Sequence, residues 1–199
     1  MEEILNNLEL FSKSIDTDLE KYIFRYDEGG FENMSEEWKG QINLLDKKTT
    51  KKIKQQQQLF KLSGDDSDNY YKEYIRTKLD YEDDTAVKKW LYDLSISFDT
   101  KVFVVIDDEV VFVMTWKMVL KYFAGIFILK VKIWDKTTNW CLDFINDYDL
   151  LTFGRNRIQN ATTESQKIIE TNEWIDSLNS VIENDGSSRA SYLLNKVID

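Results

Sequence analysis

Histidine and proline are both missing from these 199 residues, and cysteine occurs once, at Cys141. Without His, the commonest general base, the usual activator of a nucleophilic Ser or Cys and the commonest metal ligand are all excluded. Without Pro, turns must be made by Gly, Asn, Asp and Ser, and no X-Pro bond can slow folding. A lone cysteine excludes an intrachain disulfide and points to a reducing compartment. Long apolar runs are missing too. Between Val110 and Trp134 the chain is interrupted by Lys117, Lys121, Lys130 and Lys132, and the longest uncharged stretch is Tyr122 to Leu129. A membrane helix needs about 20 apolar residues. The acidic start Met1-Glu2-Glu3-Ile4-Leu5 lacks the basic and apolar regions of a secretory signal. The expectation is a cytoplasmic protein.

What is present suits a packed core. Hydrophobic residues make up 42% of the chain, including 11 Phe, 10 Tyr and 6 Trp, which argues against disorder. The length fits one domain. Charge is unevenly spread within the net −10: residues 1–46 sum to −8, 47–62 to +6 and 63–84 to −5.

Periodicity predicts helices over 2–20 (Ile4, Leu8, Phe11, Ile15, Leu19), over Met34–Leu45 with Ser35 as N-cap, and over the lysine-rich 47–62 with Asp46 capping. Further helices are expected at Tyr70–Leu79 and Val87–Leu94, with a short strand at 22–26. From Lys101 the pattern changes. Val102–Ile106, an acidic turn and Val110–Met114 form a hairpin signature. Thr115 then opens a helix that Gly125 ends, followed by strands at 126–134, 140–144 and 150–153. Thr163 and Gln166 fit a capping box for a helix reaching Ile182, and Asn184–Ser188 breaks it before a terminal helix. The predicted architecture is a single α+β domain spanning 1–199: helical over 1–97, an antiparallel sheet over about 101–153, and helical over 161–198.

Candidate sites are few. Asp65-Asp66-Ser67-Asp68 resembles the start of a calcium loop, but Tyr70 and Arg76 stand where Gly and Glu are required. A solvated turn is the better reading. Asp107, Asp108 and Glu109 fall in the hairpin turn, where acidic residues are common. With Asp143 and Asp147 on the next hairpin, Asp107 and Asp108 would form a carboxylate-only metal site for hydrolysis if both groups met at one end of the sheet. The phosphate-cradling glycine motifs are absent, and no cofactor is expected. Cys141, between Trp140 and Leu142, reads as a buried apolar residue. The six lysines of 47–62 lack interleaved aromatics except Phe60, so a solvated helix face outweighs nucleic-acid contact.

Size, acidity, the absence of His, and the hairpin Lys101–Met114 followed by Thr115-Trp116-Lys117 are the features that matter here. In them the chain resembles the small acidic α+β immunity proteins that bacteria pair with polymorphic toxins. The resemblance spans 98–134 and carries over no functional residue. It implies a non-enzymatic protein that binds and neutralises a partner, a basic toxin steered by the acidic surface. Glu36, Glu37, Trp38, Asp65, Asp66 and Asp68 are the candidate contact residues. The alternative is a metal-dependent hydrolase or nuclease built on the clustered carboxylates.

Overall fold

A computed structural model describes residues 1–15, 24, 34–56, 70–80, 83–107, 109–145, 148–158, 171, 174–175, 178–179, 181–183 and 186–198. The first elements are short. Glu2–Asn6 (α1) and Leu8–Phe11 (α2) are separated by Asn7 at φ −135°, ψ 46°. Ser12–Lys13 (β1) is extended. The single helix expected over 2–20 is therefore broken at Asn7. Ser12 and Lys13 instead pair with Leu45 and Leu44, and residues 16–20 lie outside the described set.

The helix expected over Met34–Leu45 is shorter than its periodicity suggests. Only Glu36–Lys39 (α3) is helical, Gly40 caps it, and Ile42–Leu45 (β2) is a strand. Ile42, Leu44 and Leu45 are all buried, because β2 lies inside the sheet and a run apolar on both sides suits that position. Lys47–Gln56 (α4) follows, with the Asp46 carboxylate accepting a hydrogen bond from Thr49 N at 2.7 Å. This is the expected cap, and residues 57–62 lie outside the described set.

Tyr71–Lys78 (β3) was expected to be helical and is an edge strand. Its aromatic and β-branched residues suit a pleated surface. Lys72, Glu73, Arg76 and Lys78 make this strand highly charged, which protects an edge from further pairing. Asp84–Asp93 (α5) matches the expected helix, and the Asp83 carboxylate accepts from Thr85 N and Ala86 N, both at 3.1 Å.

The hairpin is as read: Lys101–Ile106 (β4) pairs with Val110–Thr115 (β5), Val104 facing Phe112. Trp116–Ile126 (α6) follows and runs through Gly125 to end at Phe127. Val131–Asp135 (β6), Trp140–Ile145 (β7) and Leu150–Arg157 (β8) complete the sheet. The order is β1-β2-β5-β4-β6-β7-β8-β3, and every neighbouring pair is antiparallel. The fold is α+β, as the composition and patterning imply. Beyond the expected strands, the sheet recruits 12–13, 42–45 and 71–78 as additional strands.

Helices α5 and α6 pack together, and α6 rests on β4 and β5. Val87, Leu91, Val119, Leu120 and Phe123 meet Val102, Val104, Phe112, Leu142 and Phe153 in one core. Phe24, within the expected strand 22–26, sits in a turn and stacks edge-on against Phe112 and Tyr122. The other residues of that segment are outside the described set. The alternate side chains Phe103, Val105, Val113, Trp134 and Cys141 are also fully buried. Burial on both faces explains the unbroken apolar run Val102–Ile106.

Turns without proline use the left-handed region at non-glycine residues. Ser95, Asp107, Thr138 and Asp149 have φ between 49° and 59°, and Asn156, in the last strand, has φ 60°. No helix among the described residues is long and apolar enough to cross a membrane. The chain divides into two compact units, Met1–Gln159 and Asn160–Asp199. In the second, the described residues of 171–183 are helical, Gly186 has φ +84°, and Ser187–Ile198 (α7) forms the terminal helix. The capping box at Thr163 and Gln166 lies outside the described set.

Candidate functional site

The most distinctive surface of the first unit is built around Trp38. The short helix α3 holds this indole half-buried against the core. The same turn presents Glu36 and Glu37 to solvent at the helix start, where carboxylates oppose the helix dipole favourably. Lys117 and Lys121, one turn apart on α6, approach the indole face. Their ammonium nitrogens lie 5.9 and 3.4 Å from the ring centroid. Both are within cation–π range, with Lys121 in close contact.

Helix α5 supplies the opposite wall with Lys88 and Tyr92, also one turn apart. Ser95, with φ 59°, turns the chain after α5, a role glycine usually fills. The following loop carries Phe98, whose ring meets Tyr92 edge-on at 5.8 Å. That loop is anchored on α6: Trp116 N donates to Thr100 O at 2.8 Å, and Lys117 N donates to Phe98 O at 3.0 Å. These carbonyls satisfy amides that a side-chain cap would otherwise serve. Thr115 makes no such cap, because its hydroxyl bonds Gln41 Oε1 at 3.1 Å.

The result is a groove of about 440 Å³ lined by Trp38, Lys88, Tyr92, Phe98, Lys117, Leu120 and Lys121. Tyr92 and Phe98 remain about half exposed, at 47% and 50%. A second hollow of about 600 Å³, sharing Lys88, Tyr92 and Lys121, adjoins it and adds Asp84 and Lys89. The chemistry offered is aromatic surface edged by ammonium groups.

Of the expected contact residues, Trp38 is therefore at the centre. Glu36 pairs with Lys39 at 2.9 Å on the exposed side of α3. Asp65, Asp66 and Asp68 lie outside the described set. Lys88, Tyr92, Phe98, Lys117 and Lys121 were not singled out by sequence. The available signal was the one-turn spacing of Lys88 with Tyr92 and of Lys117 with Lys121.

The candidate metal ligands occupy separate environments. Asp107 accepts a hydrogen bond from Lys130 N at 3.0 Å, and its own amide donates to Lys130 O at 2.8 Å. Its carboxylate thus locks the hairpin turn to the end of α6's loop. Asp143 is buried in the middle of β7, with its carboxylate 3.6 Å from the Lys132 ammonium. Asp108 and Asp147 are outside the described set, and no group of three or more Cys, Asp or Glu forms among the described residues.

Asp143 belongs to a polar row on the second face: Lys132, Asp143, Thr152 and Arg76 are successive register partners on β6, β7, β8 and β3. Nearby, burial raises the Cys141 thiol and the Tyr71 phenol above their ordinary values. Burial keeps both protonated at neutral pH, which leaves Cys141 inert as a nucleophile.

Residues 168–199 match the sequence model of one known family, described as pyruvate dehydrogenase E1 component, N-terminal domain. The match covers only the end of the chain, too little to place it in that family, and it falls within the second unit. No curated protein matches the chain.

Proposed function

We propose that this is a non-enzymatic cytoplasmic binding protein that regulates or neutralises a partner protein through the Trp38 groove. The observation that carries this reading is the convergence of Trp38, Tyr92 and Phe98 with Lys88, Lys117 and Lys121 in one concave surface. Aromatic anchors in concave pockets supply most of the energy of protein recognition, and a polar rim supplies register. Occlusion of a partner needs no general base or nucleophile, which suits a chain without His whose one thiol is buried.

The groove refines the partner's chemistry. Its rim is cationic, so the fitting segment carries carboxylates beside an apolar or aromatic anchor. The global charge of −10 still acts on the whole partner at long range, but beyond about 8 Å that field is screened at physiological salt. Contact chemistry at the groove is set by the three lysines.

The test is affinity purification with wild-type bait alongside Phe98→Ala and Lys117→Glu/Lys121→Glu baits. A stoichiometric partner held by wild type and lost by both groove variants supports the reading. A partner retained equally by all three baits rules this surface out.

A further inference from the structure

We infer that a second groove, between β1 and α4, binds an oligophosphate, a ligand class separate from the protein partner of the Trp38 surface. The groove has a volume of about 680 Å³, within the 300–1,000 Å³ range common for small-molecule sites. Among the described residues four lysines line it, Lys13 from β1 and Lys47, Lys51 and Lys54 from α4, with one carboxylate, Glu109. The described lining thus sums to +3 within a chain whose net charge is −10.

The folding of α4 produces this concentration. Thr49, Thr50 and Ile53 are buried, which fixes the rotation of the helix. Lys47, Lys51 and Lys54 then fall on one flank, at spacings of four, three and seven residues that bring side chains together. Lys48 and Lys52 fall on the other flank, exposed and away from the groove. Between Lys47 and Lys54 the helix rises about 10 Å, which suits a run of linked phosphates better than a single one.

The lining also discriminates among phosphate ligands. Among the described residues, Leu45 and Val110 are its apolar members and no aromatic ring lines it. Single-stranded nucleic acid is held by aromatic stacking platforms as well as by charge, and the described lining offers only the charge. Lysine ammonium groups are flexible point charges that bind phosphate without demanding one geometry. The site therefore recognises a phosphate chain by charge density rather than a base by shape.

The test is calorimetric titration of the full chain with tripolyphosphate, orthophosphate and a single-stranded oligothymidylate. Saturable tripolyphosphate binding is expected, with orthophosphate at least about tenfold weaker. Lys47→Ala/Lys54→Ala should bind roughly tenfold more weakly, while Lys48→Ala/Lys52→Ala, of equal charge change, should lose less than about twofold. Circular dichroism checks that both variants fold, and Lys54→Gln alone serves if the double variant does not. Absence of saturable tripolyphosphate binding, or equal losses in the two lysine pairs, overturns the inference. Tighter binding of the oligonucleotide than of tripolyphosphate overturns the ligand assignment.

Discussion

Lys132 and Asp143 face each other across β6 and β7, their charged groups 3.6 Å apart, with the carboxylate side chain only 2% exposed. This pair sits amid buried Trp134 and Cys141, where an ion pair is held at a desolvation cost. Removing one partner leaves a charge without compensation, whereas replacing both with apolar side chains relieves that cost. Asp143→Leu alone is expected to destabilise by about 3 kcal/mol. Lys132→Met/Asp143→Leu should recover most of that loss, as urea denaturation would show. A double variant as unstable as the single one would mean that the polar row with Thr152 and Arg76 matters more than the pair.

Stability should depend on pH at the alkaline end. Burial raises the Cys141 thiol and the Tyr71 phenol, while in the unfolded chain they titrate near about 8.5 and 10. Above those values the unfolded state binds fewer protons than the folded state, so stability falls as pH rises. Below about pH 8 neither group contributes a slope. Tyr71→Phe should lessen the fall. It should also stabilise by roughly 1 kcal/mol, since the Tyr71 hydroxyl is buried without a hydrogen-bond partner among the described residues.

On the acid side, hydrogen bonds from Lys136 to Glu2, and from Arg155 and Asn156 to Glu73, lower both carboxyls. Their contribution is present at neutral pH and is lost as pH falls through the ordinary carboxylate range and below it. Urea midpoints across pH 3–10 would show a plateau near neutrality with losses at both ends. A steep change between pH 6 and 8 would contradict this, because there is no His to titrate there.

Asp107 combines a left-handed backbone, φ 50°, with a carboxylate that accepts from Lys130 N. Asn tolerates that conformation and keeps an accepting oxygen. Asp107→Asn should therefore cost under about 0.5 kcal/mol, and Asp107→Ala about 1–2 kcal/mol from strain and the lost bond. Thermal unfolding of the two variants distinguishes a turn-forming role from a catalytic one, which would show no such difference.

The strongly patterned parts were legible in the sequence. The hairpin Val102–Met114, the helix over Val87–Leu94 and the strands after 130 each carry a local period that agrees with the structure. Ile42–Leu45 and Tyr71–Lys78 carry an apolar spacing that also fits a helix. Pairing with β5 and β8, which a local window cannot see, decided in favour of strands. Trp38 stands among the expected contact residues, but its groove was not legible in the sequence. Its neighbours come from α5, α6 and the Phe98 loop, brought together only by packing. Asp107 and Asp143 share a residue type and a sheet, yet one closes a turn and the other pairs with lysine, a distinction set by register rather than composition.

The Trp38 groove is proposed to recognise a protein partner. Its most direct test is calorimetric titration of the co-purified partner against wild type, Trp38→Ala, Phe98→Ala and the charge reversal Lys117→Glu/Lys121→Glu. Tyr148→Ala serves as a control, because Tyr148 is 70% exposed and lies outside the groove. Hot-spot truncations cost at least about 2 kcal/mol, roughly thirtyfold in affinity. The account predicts losses of that order for the three groove variants and less than about twofold for Tyr148→Ala. Groove variants that keep wild-type affinity while remaining folded would contradict it.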